Sequence, residues 1–227
     1  LMGVDSTPRK VLSTTKGVGQ LYTVHQGAGI SYTVNEHHVL SLRSSVKSSP
    51  CFTKTKNISI RDVLNSSKTF LSYWKGYKVA VNFEPKPVPI NPYLLGLWLG
   101  DGSSKAAEIS MGREDSKVLI EKIKSIGCPV VVHGDNGRAL RVALSDGLKG
   151  GVKPFQAKSI QSKLREIGVL GNKHIPNIYL TNSRQVRLEL LAGLIDSDGY
   201  KNPSGVYEIT QKNKVLAEQI KFLCNSL

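Results

Sequence analysis

The hydrophobic positions at the start of the chain fall in short runs. Val11–Leu12, Leu21–Val24, Ile30–Val34 and Val39–Leu42 are β-prone segments separated by Gly, Ser and Pro, so residues 1–43 are expected as strands. Residues 44–58 are rich in Ser and Lys and are expected as a loop. Ile60–Leu71 carries a weak helical pattern and Tyr77–Phe83 a strand pattern. Glu84–Pro92 holds four prolines. Each proline removes a backbone donor and fixes φ, so this stretch is expected to be a linker, and a domain boundary is placed there.

Beyond it, helical and strand periods alternate. Pro92 is placed to open an apolar helix over Pro92–Leu99. Ile109–Met111 predicts a short strand, and Ser116–Ile126 an amphipathic helix ended by Gly127. Pro129–His133 and Leu140–Leu144 predict a hairpin turned by Asp135-Asn136-Gly137. Ile160–Ile167, ended by Gly168, and Arg184–Ile195 complete the helices.

An internal repeat organises this second part. Leu94–Gly102 reads LLGLWLGDG and Leu191–Gly199 reads LAGLIDSDG, matching at five of nine positions 97 residues apart. Glu108-Ile109-Ser110 is echoed by Glu208-Ile209-Thr210. Lys117-Val118-Leu119-x-Glu121-x-Ile123-Lys124 recurs at Lys214-Val215-Leu216-x-Glu218-x-Ile220-Lys221, again offset by 97. Two copies of one unit are expected to pack about a pseudo-two-fold axis within one monomer. The small residues Gly96, Gly100, Ala192 and Gly193 let the two apolar helices approach. Their ends would then set Asp101 beside Asp198. Two carboxylates held together repel and invite a divalent cation, which can activate water and stabilise a leaving oxygen in phosphodiester cleavage. Asp196 corresponds to Leu99, so the sixth position does without an acid, whereas the eighth is acidic in both copies. An EF-hand at Asp196 fails on spacing, and no Walker loop or strand-linked Gly-x-Gly-x-x-Gly is present.

Composition sharpens the choice of partner. Of 227 residues, 31 are Lys or Arg and 17 Asp or Glu, a net charge of +14, which favours a polyanion through counterion release. No apolar run reaches the roughly 18 residues of a membrane span, so a membrane partner is not expected. Cys51, Cys128 and Cys224 are too scattered for a disulfide framework and suit buried free thiols in a reducing, intracellular setting, nucleus or cytoplasm.

The two nonamers resemble the paired motifs of LAGLIDADG (dodecapeptide, DOD-type) homing endonucleases, over about 91–227. The resemblance implies Mg²⁺ held by Asp101 and Asp198, with the carbonyls of Gly100 and Ser197 joining them. It also implies αββαββα halves whose strands form a saddle on double-stranded DNA. Asn172-Lys173-His174-Ile175-Pro176 resembles the Lys-x-Ile-Pro segment of intein-borne members, which implies a catalytic role for Lys173 near the scissile phosphate. Tyr32–Leu42 is similar to intein block B, with Thr33, Asn35 and His38 in its Thr-x-Asn-x-x-His pattern; there a histidine assists the first acyl shift at the junction with the host exteins. The N-terminal part looks most like inteins of eukaryotic nuclear genes, fungal spliceosomal-protein inteins in particular.

The expected fold class is therefore α+β. Residues 1–90 form a partial all-β Hint-type splicing domain with a basic insertion. Residues 91–227 form the endonuclease domain, its first repeat about 91–180 and its second about 181–227. The chain is expected to be a fragment lacking the opening nucleophile and the closing His-Asn pair, with its second repeat ending after its first helix. Two alternatives stay open: a LAGLIDADG-derived DNA- or RNA-binding protein (maturase or regulator) that does not cleave, and a splicing module with a decayed nuclease.

Overall fold

The computed structural model describes residues 2–26, 31–45, 54–145 and 159–227. Ile30, Cys51 and the middle of the Ser/Lys-rich stretch lie outside the described residues. The protein mixes helix and sheet, as an α+β chain does. It divides into two compact units, Leu1–Gly3 with Thr7–Val79, and Val4–Ser6 with Ala80–Leu227.

In the first unit, β1 (Leu21–Val24) pairs antiparallel with β2 (Tyr32–Asn35). The central strand β3 (Val39–Ser44) lies between β4 (Thr55–Ser59) and β5 (Trp74–Lys75). Alternation along β3 buries Leu40 and Leu42, which with Ile60 make a small core. This unit is not all-β. The weak helical pattern is two short helices, α1 (Ile60–Leu64) and α2 (Lys68–Tyr73), because serine side chains start each one: Ser59 accepts from the Asp62 amide and Ser67 from the Phe70 amide. Three other expectations fail. Thr55–Ser59 is a strand, since Ile58 pairs with Leu40 despite its polar neighbours. Val11–Leu12 and Tyr77–Phe83 form none, and Val11 and Leu12 are exposed.

The second unit is built on α3 (Pro92–Asp101) and α7 (Arg184–Asp198). Pro92 and the Asn91 side chain, which accepts from the Leu94 amide, start α3. Its apolar residues are buried on every side, as befits a helix apolar all round. Between the two lie β6 (Glu108–Gly112), α4 (Arg113–Ser125), β7 (Val130–Asp135), β8 (Ala139–Leu144), α5 (Ile160–Glu166) and α6 (Asn177–Leu180), the strands in order β6-β8-β7. Gly127, Gly137 and Gly168 have positive φ at the turns where the sequence places them. The second copy does not stop after α7. It continues through β9 (Gly199–Lys201), β10 (Tyr207–Ile209) and α8 (Lys214–Asn225). The β9–β10 pairing sets Gly199 opposite Ile209; its counterpart in the first copy is an isolated bridge from Gly102 to Ile109. One strand of the expected αββαββα order is thus reduced there to a single bridge.

The helix crossing is reciprocal. A Cβ on Gly96 would lie 2.2 Å from the Leu190 carbonyl oxygen and 2.9 Å from the Leu194 nitrogen. A Cβ on Gly193 would lie 2.1 Å from the Tyr93 oxygen and 2.8 Å from the Leu97 nitrogen. Each pair is related by the 97-residue offset, which makes this an isologous contact inside one chain. Below it, Gly100 abuts Ser197, where a Cβ would fall 2.1 Å from the serine oxygen. The small partners on α7 are therefore Gly193 and Ser197. Ala192 is half-buried and is not among the atoms nearest Gly96 or Gly100.

The proline-rich stretch is held in place. The Tyr179 hydroxyl donates to the Ile90 carbonyl at 2.8 Å and accepts from its amide at 3.1 Å. The Asn182 carboxamide likewise takes the Lys86 amide and carbonyl. Arg187 is fully buried; its guanidinium donates to the carbonyls of Asn182, Ser226 and Val81 and to the Ser226 hydroxyl, and stacks on Phe83. All its described acceptors are neutral oxygens, which satisfies the rule that a buried charge be hydrogen-bonded.

Gly96→Ala and Gly193→Ala are expected to destabilise the second unit by about 1–3 kcal/mol each, or more, because the added methyl meets backbone rather than a side chain that can turn away. The midpoint of urea unfolding followed by circular dichroism measures this. Unchanged midpoints would show that the helices do not cross at these glycines.

Candidate active site

The chemistry gathers where α3 and α7 end. Both helices finish in an Asp-Gly pair whose glycine has ordinary negative φ, −74° at Gly102 and −84° at Gly199. Glycine is required there for closeness. A Cβ on Gly102 would lie 2.2 Å from the Trp98 carbonyl oxygen and one on Gly199 2.4 Å from that of Ile195, again an equivalent pair. The chain leaves each helix tightly, directly after its acid.

The crossing brings the acids into one electrostatic neighbourhood. A Cβ at Gly100 would lie 3.3 Å from the Asp198 carboxyl carbon. Desolvation, then the Asp198 charge, raises the pKa of Asp101, while Lys173 opposes the rise. Asp101 stays exposed, so its desolvation is partial. Asp198 is half-buried and is also raised by desolvation, opposed by Lys173 and by a hydrogen bond from Gln211 Nε2 to its Oδ2 at 3.1 Å.

Lys173 reaches the same point from the irregular segment before α6. Its Nζ donates to the Gly100 carbonyl at 2.8 Å and lies 5.4 Å from the centre of the Trp98 ring. Burial lowers its pKa, and the two carboxylates pull it back up. Four of the residues expected at the site, Gly100, Asp101, Asp198 and Lys173, are thus together. The Ser197 side chain turns back onto its own helix, donating to the Gly193 and Leu194 carbonyls. Two carboxylates and a backbone carbonyl are hard oxygen donors, and Mg²⁺ binds through one or two carboxylates completed by water and phosphate. Among the described residues no group of three or more His, Cys, Asp or Glu side chains is placed to hold a metal ion, so a cation here would rest on the two carboxylates, backbone carbonyls and water or phosphate.

Asp196 has a different task. It accepts from the Tyr93 hydroxyl at 2.8 Å and from Lys122 Nζ at 2.9 Å, while Lys122 also sits 3.9 Å over the Tyr93 ring. Burial, then Asp196, pushes the Tyr93 phenol above its ordinary range. The sixth-position acid thus ties α4 of one copy to α7 of the other.

In the first unit the side chains of Thr33, Asn35 and His38 are engaged separately, although the His38 amide donates to the Asn35 carbonyl at 3.2 Å. The Thr33 hydroxyl pairs across the strands with that of Thr23 at 3.2 Å. Asn35 Oδ1 accepts from the His37 amide, and His38 stands edge-on to Tyr32, ring centres 6.5 Å apart. Tyr32 alternates with Thr33 along β2 and faces the other side.

Sequence reasoning missed Gln211, Asn213 and Gln219. Asn213 was readable as an N-cap before the Lys214 helix, where it accepts from the Val215 and Leu216 amides. The others act over distances that no local pattern reports.

No protein-family profile matches the chain. It is similar to the replicative DNA helicase DnaB of Mycobacterium intracellulare, 34% identical over 148 residues, which are 65% of this chain and 21% of that protein. It is similar to the homothallic switching endonuclease of Saccharomyces cerevisiae, 33% identical over 122 residues, 48% of this chain and 21% of that protein. A third match, 39% identical over 56 residues, covers 25% of this chain and 3% of a DNA polymerase of Thermococcus litoralis. The chain thus spans about a fifth of the length of the first two. No helix among the described residues is long and apolar enough to cross a membrane.

The raised pKa of Asp101 has a signed consequence. A carboxyl whose folded pKa exceeds its unfolded one contributes stability below the unfolded value, lost as pH rises through the folded value. Asp101→Asn is therefore expected to raise Tm at neutral pH, and the advantage should shrink as pH falls through the carboxylate range and the wild type takes up its proton. Thermal melts of both proteins across that range measure it. A variant less stable than wild type at neutral pH would show that the acid is not desolvated at a net cost.

Proposed function

We propose that this chain is part of an intein carrying a LAGLIDADG homing endonuclease, which hydrolyses both strands of a long double-stranded DNA site with Mg²⁺. The observation that carries the reading is the reciprocal glycine crossing, which brings Asp101 and Asp198 into one electrostatic neighbourhood that Lys173 joins from the segment before α6. The comparisons support it in two ways. One relative is named an endonuclease. The matches also cover minor fractions of a helicase, an endonuclease and a polymerase. Likeness confined to a part of proteins with such different tasks is what a portable insertion predicts.

In this reading Asp101 and Asp198 would hold Mg²⁺, joined by the carbonyls of Ser197 and of Gly100, the latter now accepting from Lys173. When bound, the ion would supply an activated water and a clamp on the leaving oxygen. Lys173, already held against Gly100, presents a cation to the scissile phosphate and offsets charge developing there. The net charge of +14 supplies sequence-independent attraction to the phosphate backbone. The retention of both acids favours cleavage over the binding-only alternative. The splicing half of the proposal assigns His38, assisted by Thr33 and Asn35, to the first acyl shift at the junction with the host exteins. It places the whole element inside the cell, in nucleus or cytoplasm.

Two assays run side by side test the nuclease: nicking and linearisation of target plasmid in Mg²⁺, and a gel shift in metal-free buffer. Asp101→Asn and Asp198→Asn are expected to abolish cleavage while DNA binding persists and weakens steeply with salt. Asp196→Asn is expected to cleave close to the wild-type rate, since its carboxylate is spent on Tyr93 and Lys122. Wild-type cleavage by either eighth-position variant would overturn the mechanism, and a salt-independent gel shift the nucleic-acid reading as a whole.

A further inference from the structure

Lys173 sits on a segment with no helix or strand of its own, ahead of α6. Backbone groups in such a segment must find partners elsewhere. Here they find side-chain carboxamides of one helix. Gln219 Oε1 accepts from the Ile175 amide at 2.7 Å, and its Nε2 donates to the Ile175 carbonyl at 3.1 Å. One side chain thereby makes both hydrogen bonds that a neighbouring strand would make. Asn213 Nδ2 donates to the Lys173 carbonyl at 2.7 Å, while its Oδ1 caps α8. Ile175 is fully buried, so the segment is anchored in the core two residues from the lysine.

We propose that Asn213 and Gln219 are positioning residues for Lys173, so that α8 of the second copy fixes the cation which serves the acids of both copies. This rests on the active-site reading above. The repeat itself argues for the role. The positions 97 residues earlier are Ser116 and Lys122, so a carboxamide is not what the duplicated helix needs in order to form. Lys122 uses its place to reach Asp196. A carboxamide can donate and accept at once and adds no charge. It therefore satisfies the backbone behind Lys173 without disturbing the field between Asp101 and Asp198.

The test separates positioning from general stability. Asp is as good an N-cap as Asn, so Asn213→Asp keeps α8 capped while turning a carboxylate toward the Lys173 carbonyl. Asn213→Ser keeps a cap but replaces the carboxamide N–H with a shorter hydroxyl that falls back from the Lys173 carbonyl. Gln219→Met keeps the length and removes both hydrogen bonds. Glu218→Gln, on the same helix and exposed, is the control. Each protein is treated with limiting acetic anhydride in metal-free buffer, and acetylation is read lysine by lysine by mass spectrometry, beside Tm and plasmid cleavage.

The Lys173 amine is half-buried and held on the Gly100 carbonyl, and this hindrance is expected to outweigh the larger share of reactive neutral amine that burial gives it, so wild-type Lys173 should react more slowly than the exposed lysines. In the Asn213 and Gln219 variants its rate should rise about tenfold, with other lysines unchanged. The catalytic rate should fall by about tenfold or more with KM little changed, the scale seen when groups that orient active-site residues are removed. Unchanged Lys173 protection in all three variants would overturn the proposal. So would an acceleration shared by every lysine alongside a collapse in Tm, which would mark a structural role only. If the wild type cuts no DNA the nuclease reading fails, yet the acetylation pattern still decides whether α8 positions Lys173.

Discussion

The second unit depends on one contact, the approach of two helix backbones at Gly96 and Gly193. No side chain lies between them, so the distance between the helices is set by main-chain atoms that do not adjust. That fixed distance carries down to the Gly100–Ser197 step and to the two helix ends, where it becomes the separation of two carboxylates. The placement of Asp101 and Asp198 is thus inherited from a contact one helical turn and more away from either acid.

Holding two acids together is unfavourable by itself. Both carboxyls are shifted toward their neutral forms, and the lysine near them is shifted toward its own. All three shifts have the same leading cause, removal from water, and the opposite charges only moderate it. A site of this kind is destabilising in the resting protein, and the surrounding hydrogen bonds keep it assembled: Gln211 on Asp198, Gly100 under Lys173, and the carboxamides behind the lysine. The Tyr93–Asp196–Lys122 group adds a tie between the copies that makes no demand on the site.

Much of this was legible in the sequence because it is local or repeated. Pro92, Gly127, Gly137 and Gly168 mark their turns by backbone geometry alone. The 97-residue offset carried the acid pair, since duplication makes a tertiary relation visible as a linear one. Legibility ended where rotation or distance decides. Ala192 and Gly193 are adjacent small residues, and only the helix's angular setting tells which faces its partner. Thr55–Ser59 has too few apolar residues to announce a strand, yet pairing with β3 makes it one. The partners of Asp196 lie 74 and 103 residues away in the chain. In the first unit, the short pattern holding Thr33, Asn35 and His38 said nothing of which strand face each side chain takes.

Arg187 joins parts of the second unit that are remote in sequence. Its guanidinium binds the carbonyls of Val81, Asn182 and Ser226, which belong to the segment ahead of the prolines, the turn before α7 and the end of α8. Releasing any one of them leaves a buried cation short of an acceptor. The last helix is therefore not free to fray by itself: its closing turn, the segment ahead of the prolines and the entry to α7 are expected to open together, as one cooperative unit with shared protection from hydrogen exchange.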